Sequence, residues 1–167
     1  MRLTENTKII MRDPMVASAA LTSDTKGVNM SKYNKCRIML FVTTTGAGAD
    51  GTVTLKQGTS MAAVNTALAF TEYWHCDAIS SDTVDLDALT LVTAATLTTA
   101  GAASATSVYI FEVRADMLDT DTAGSENVCI RLDLAGAIAN ATHTALVYEL
   151  YEPRYALGAE DMPSVNT

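Results

Sequence analysis

The chain has 167 residues, 49% of them hydrophobic but only 6% aromatic, and a formal net charge of −8. That length suits one domain able to bury a core without staples. The acidic balance argues against a basic surface that would neutralise nucleic-acid phosphates, and no apolar run approaches the ~18–20 residues that cross a bilayer.

In chain order, Lys8 to Met11 reads as a short strand, interrupted from the apolar Met15 to Leu21 by Pro14. The opening MRLTENTKIIMRD has scattered charges and no apolar h-region, so a secretory signal is not expected. We expect residues 1–24 to form an N-terminal arm leading into an edge strand. Ser23-Asp24-Thr25-Lys26-Gly27 then reads as a turn, with Gly27 free to take positive φ.

Tyr33 to Thr44 alternates with period two: Cys36, Ile38, Leu40 and Val42 one way, Lys35, Arg37, Met39 and Phe41 the other. Met39 and Phe41 are unusual for a solvent face and call for cover, by a second sheet layer or by another subunit. The Gly-rich GAGADG (46–51) lacks a following GK[ST] and runs into the strand TVTLKQ, so it reads as a β-hairpin tip rather than a phosphate loop. Gly58 closes that strand. MAAVNTALAF (61–70), despite its alanines, is expected to make a turn and then a strand running into Thr71-Glu72-Tyr73-Trp74. His75, beside that strand, has no catalytic partner in spacing.

Residues 80–105 are Thr/Ala-rich with weak alternation and suggest one or two short strands ending at Gly101. SVYIFEVR (107–114) is a clear strand with Tyr109, Phe111 and Val113 on one face, and ADMLDTDTAGSEN breaks it with a turn or a single helical turn. The chain is organised around Asn127 to Tyr155. Val128, Ile130, Leu132 and Leu134 alternate with polar neighbours, a short Asn-containing connection follows, and Leu146, Tyr148 and Leu150 alternate again. This pattern predicts an antiparallel pair of strands with one wet face, ending near Pro153, which cannot donate to a ladder.

Together these elements predict an all-β fold of roughly eight strands, an antiparallel β-sandwich or jelly-roll-like domain over 25–155, with a C-terminal tail at 156–167. Cys36, Cys76 and Cys129 are odd in number and widely spaced, and read as free thiols of a reducing cytosol rather than a disulfide or metal set. DTDTAGSE (119–126) lacks the twelve-residue register of a calcium loop. No GxSxG or HExxH motif occurs, and two histidines provide thinly for acid–base chemistry. We therefore expect no enzyme, no catalytic, cofactor-binding or metal-ligating residue, and no cofactor.

Four segments in order carry a resemblance: SDTKGVNMSKYNKCRIMLFVTTTGAGADGTVTLKQG, ALAFTEYW, IFEVRADMLD, and NVCIRLDL with LVYELYEPRYA. They resemble small virion structural proteins of tailed bacteriophages, in particular capsid decoration (cement) proteins, across most of Ser23 to Ala156. Ser80 to Ser107 departs from the pattern. The resemblance implies a β-rich, non-enzymatic virion protein made in the host cytoplasm. It would bind the major capsid protein on the capsid exterior, often as a homotrimer, with no nucleic acid or membrane partner. It also implies terminal arms overlapping neighbours, at Met1 to Asp13 and Ala156 to Thr167, where frayed termini are the plainer reading. Met39 and Phe41 would then be candidates for subunit contact. A head-fibre or tail module, or a carbohydrate-binding β-sandwich, is the alternative.

Overall fold

The computed structural model describes residues 7–12, 27–44, 51–79, 90–99, 106–121, 123–135 and 141–154. These form eleven strands: β1 (Thr7–Arg12), β2 (Val28–Asn29), β3 (Tyr33–Thr44), β4 (Gly51–Gly58), β5 (Val64–Leu68), β6 (Glu72–Ile79), β7 (Thr90–Thr93), β8 (Leu97–Thr99), β9 (Thr106–Arg114), β10 (Cys129–Ala135) and β11 (Ala141–Pro153). A single 3-10 turn, Ala115–Met117, follows β9, and no α-helix occurs among the described residues. The fold is an all-β sandwich of two antiparallel sheets.

The larger sheet has the order β1-β11-β3-β9-β6-β7. The smaller has the order β2-β10-β4-β5, with β8 pairing the part of β4 that β5 leaves free. Alternation explains how they meet. Cys36, Ile38, Leu40 and Val42 of β3, Tyr109, Phe111 and Val113 of β9, and Leu146, Tyr148 and Leu150 of β11 all point inward from the larger sheet. Val53 and Leu55 of β4, Leu68 of β5, Leu97 of β8, and Ile130 and Leu132 of β10 meet them from the smaller. Burying such side chains contributes about 1.5–3 kcal/mol each, and the core runs unbroken across both layers. Phe70, in the segment passing from β5 to β6, packs edge-on against Phe111 with ring centroids 5.2 Å apart.

Two polar devices pin the layers. Tyr148 is fully buried, and its hydroxyl accepts the Leu132 backbone N–H at 2.9 Å, on the edge of β10 beyond the point where β2 stops. Gln57 continues the inward parity of β4. Its Oε1 accepts the Asp119 backbone N–H at 2.9 Å and its Nε2 donates to Asp119 Oδ2 at 3.0 Å, which ties the loop after β9 to the smaller sheet.

Several expectations change. The organising segment is not a hairpin: β10 belongs to the smaller sheet and β11 to the larger, so their apolar faces meet across the core rather than side by side. Period-two alternation specifies a face, not a neighbour. The same holds for GAGADG, whose loop (45–50) lies outside the described residues: it joins β3 to β4, which sit in different sheets, so it does not tip a hairpin. ALAF and TEYW likewise end one strand and begin another in the opposite layer. Gly27 does not take positive φ. It is glycine because a Cβ would lie 2.6 Å from Val64 Cγ2 and 2.8 Å from the Ile130 carbonyl oxygen. Thr7–Arg12 pairs along its whole length with β11, so this stretch is the expected edge strand of the chain's own sheet and not part of an arm. The tail at 156–167 and the turn at 23–26 lie outside the described residues.

Other expectations are matched. β3 spans Tyr33–Thr44, Gly58 ends β4, the stretch after Met61 is a turn and a strand, and residues 80–105 contain the two short strands β7 and β8. β11 ends at Pro153, with Glu152 at a positive φ of 53°.

Candidate interface on the outer face of the larger sheet

Strand register decides what the larger sheet shows to the outside. Met11 pairs with Val147, Val147 with Met39, Met39 with Ile110, Ile110 with Trp74, and Trp74 with Leu91. All six have outward parity, so an apolar row crosses every strand of the sheet. With strands ~4.8 Å apart, five spacings make it about 24 Å long. The next row, Ala145–Phe41–Val108–Cys76, is also uncharged, and Val108 and Cys76 in it are buried. Beyond it, the Thr43 and Thr106 hydroxyls bond each other at 2.8 Å.

Exposure singles out this face. Five large hydrophobic side chains are exposed among the described residues, and four of them, Ile9, Met11, Trp74 and Leu91, lie here; the fifth, Met61, sits in the turn between β4 and β5. Trp74 is 44% exposed although it is the only tryptophan of the chain. The second sheet does not cover Met39 and Phe41, because it packs on the opposite face of β3. Among the described residues, therefore, no second sheet layer covers them.

On its other flank the row is bordered by charge. Glu149, Arg37 and Glu112 pair across β11, β3 and β9 and alternate in sign. Arg37 donates to Glu149 Oε2 at 3.0 Å, Lys35 meets Glu152 at 2.8 Å, and the Tyr151 hydroxyl donates to Glu112 Oε2 at 2.5 Å. The Arg37 and Lys35 cations lie 5.4 and 5.8 Å from the Tyr151 ring centroid. Partial burial, then the bond to Glu112, pushes the Tyr151 phenol well above its ordinary pKa, so it stays a donor across physiological pH. The bond to Glu152 raises that of Lys35. An open groove of about 230 Å³ lies at this end, lined by Asn34, Lys35, Arg114, Ala115 and Asp116. Its two cations are already paired, Lys35 with Glu152 and Arg114 with Asp116 at 3.2 Å.

The residues weighed for chemistry in the sequence are not brought together. Cys36, Cys76 and Cys129 are free and buried, and burial pushes the Cys36 and Cys129 thiols up, away from the reactive thiolate. His75 stacks flat on Tyr109, centroids 4.4 Å apart, inside the sandwich. In the 119–126 loop the Asp121 carboxylate accepts the Ala123 and Ser125 backbone N–H groups, closing a local turn with Gly124 at φ 81°. Among the described residues no group of three or more His, Cys, Asp or Glu side chains is placed to hold a metal ion.

Met39 and Phe41 were legible as anomalous in the sequence. Met11, Val147, Ile110, Trp74 and Leu91 were not, because their common face exists only once five strand pairings set the register. The chain matches no protein-family model, no curated protein and no solved structure.

Proposed function

We propose that this chain is a non-enzymatic virion structural protein, a decoration or cement protein that binds the exterior of a tailed-phage capsid and ties neighbouring major capsid subunits together. The observation that carries the reading is the ordered resemblance of four segments to such proteins. Those segments supply β3, β4, most of β9, β10 and much of β11, the strands at the centre of both sheets, together with the edge strand β2. The stretch that departs from the pattern, Ser80 to Ser107, contributes β7 and β8, at the margins. The apolar row on the outer face suits a protein that works by surface burial and assembles with others, as a homotrimer in the arrangement the resemblance implies.

A protein that binds the assembled lattice and not its dissociated subunits stabilises the lattice by mass action, about 2.7 kcal/mol per site at a hundredfold excess over Kd. Purified protein mixed with expanded, undecorated heads of the virus that encodes it is expected to bind saturably and to raise the temperature at which the heads break. Absence of binding at micromolar concentration overturns the proposal. Binding to tails or fibres instead, seen by negative-stain microscopy, moves the protein to another part of the virion.

A further inference from the structure

We infer that the apolar row Met11–Val147–Met39–Ile110–Trp74–Leu91 is the surface through which two copies of this chain pack face to face; this rests on the self-association part of the reading above and names its site, as a two-fold pair rather than a trimer contact.

Three observations select a second copy as the occupant. First, eight outward positions in two adjacent rows are at least partly exposed and carry no charge, in a chain of net charge −8. A basic partner drawn by that charge would find nothing to pair with on these rows, whereas a second copy brings the same apolar surface. Second, the flanking row Glu149–Arg37–Glu112 alternates in sign from strand to strand. A copy displaced by one strand sets Arg37 of one chain opposite a glutamate of the other, so the rim complements itself. Third, one of the two edges of this sheet is guarded. Lys8, on edge strand β1, has inward parity with Ile10, a placement that discourages another strand from adding there. Contact between copies is thereby steered away from the β1 edge.

The area sets the strength. A face about 24 Å by about 14 Å is smaller than the roughly 800 Å² per partner of a typical stable interface, so association is concentration-dependent, in the micromolar range or weaker.

The chain carries its own reporter, since Trp74, its only tryptophan, is in the row. Wild-type protein is followed from about 1 µM to about 1 mM by sedimentation equilibrium and by tryptophan emission. The expected result is association accompanied by a blue shift of the emission. Met11→Glu and Leu91→Glu, both at exposed positions, should each weaken association by at least about tenfold and remove the shift. Met61→Glu, exposed but off this face, should leave both unchanged. Three results overturn the inference: a monomer throughout the range, association with unshifted emission, or association that survives both row variants. Capture on heads is scored separately. A monomer that still binds heads sinks this inference alone, and an oligomer that ignores heads sinks the capsid reading alone.

Discussion

The two outer faces of the sandwich have the same construction and opposite chemistry. On the smaller sheet the outward positions are Thr52, Thr54 and Lys56 of β4, Asn65 of β5, and Arg131 and Asp133 of β10, with Lys56 and Asp133 in an ion pair. On the larger sheet the same parity gives the charged rows of Glu149, Arg37 and Glu112 and of Tyr151, Lys35 and Arg114 at one end, and beside them the wholly apolar row Met11, Val147, Met39, Ile110, Trp74 and Leu91, which has no counterpart on the smaller sheet. A sandwich in water needs only its inner faces apolar. One outer face obeys that rule and the other breaks it, which locates the surface left for something other than water.

Substitutions separate what the faces share from what divides them. The shared interior should dominate: Phe111→Ala, at a site 1% exposed, is expected to cost about 3–5 kcal/mol in urea unfolding followed by Trp74 emission. Leu132→Ala, reaching the same core from the other sheet, should cost about 2–5 kcal/mol. A much smaller loss at either site would mean that the layers do not share one core. Tyr148→Phe keeps the packing but strands the Leu132 N–H, and about 1–3 kcal/mol should disappear in the same assay.

Alkaline pH probes the interior without mutation. Burial, reinforced by the nearby Glu149 charge, raises the Cys36 thiol in the folded chain, while in the unfolded chain it ionises near pH 8.5. The folded state therefore holds a proton that the unfolded state gives up. This contribution is fully present below about pH 8.5 and is lost above it at about 1.4 kcal/mol per pH unit, until the folded thiol itself ionises. Cys36→Ala should flatten that slope, and an unaltered slope would assign it to other groups.

The charged border should contribute less. Glu149→Gln removes the partner of Arg37, whose side chain is 43% exposed, and is expected to cost no more than about 1 kcal/mol, shrinking further in high salt. Smallest of all, Leu91→Ser should change the stability of the isolated chain by no more than about 0.5 kcal/mol. A row that matters for contact and not for folding shows that split; a large loss of stability at Leu91 would make the row part of the fold.

What was legible in the sequence follows from the range of each signal. Alternation is local, so β3 was readable from Tyr33 to Thr44 with its inward set correct, and β9 and β11 nearly as well. Partnership is not local. β3 lies between β9 and β11, both far along the chain, and nothing in KCRIMLFV names them. The misassigned hairpin at 127–155 has the same origin, since two alternating strands with a short connection look alike whether they lie side by side or face each other. Glycine misled similarly: Gly27 looked like a turn residue, and close approach, a property of distant Val64 and Ile130, is what requires it. The candidate interface was half visible, because Met39 and Phe41 broke the pattern of their own strand while Leu91 and Trp74 broke none.

The order of strands along the chain has a consequence for its synthesis. Among the described strands only β4–β5 and β6–β7 are successive strands that pair with each other; every other connection between them passes to the opposite sheet. As the chain leaves the ribosome, β3 emerges with both long edges open and waits for β9 and then β11 before either is closed. Among the described strands β1 comes first in the chain yet is among the last to find its place, since it pairs with β11, the last of them. Contacts so distant in sequence make for slow folding, and for its duration KCRIMLFV is an apolar strand with nothing beside it.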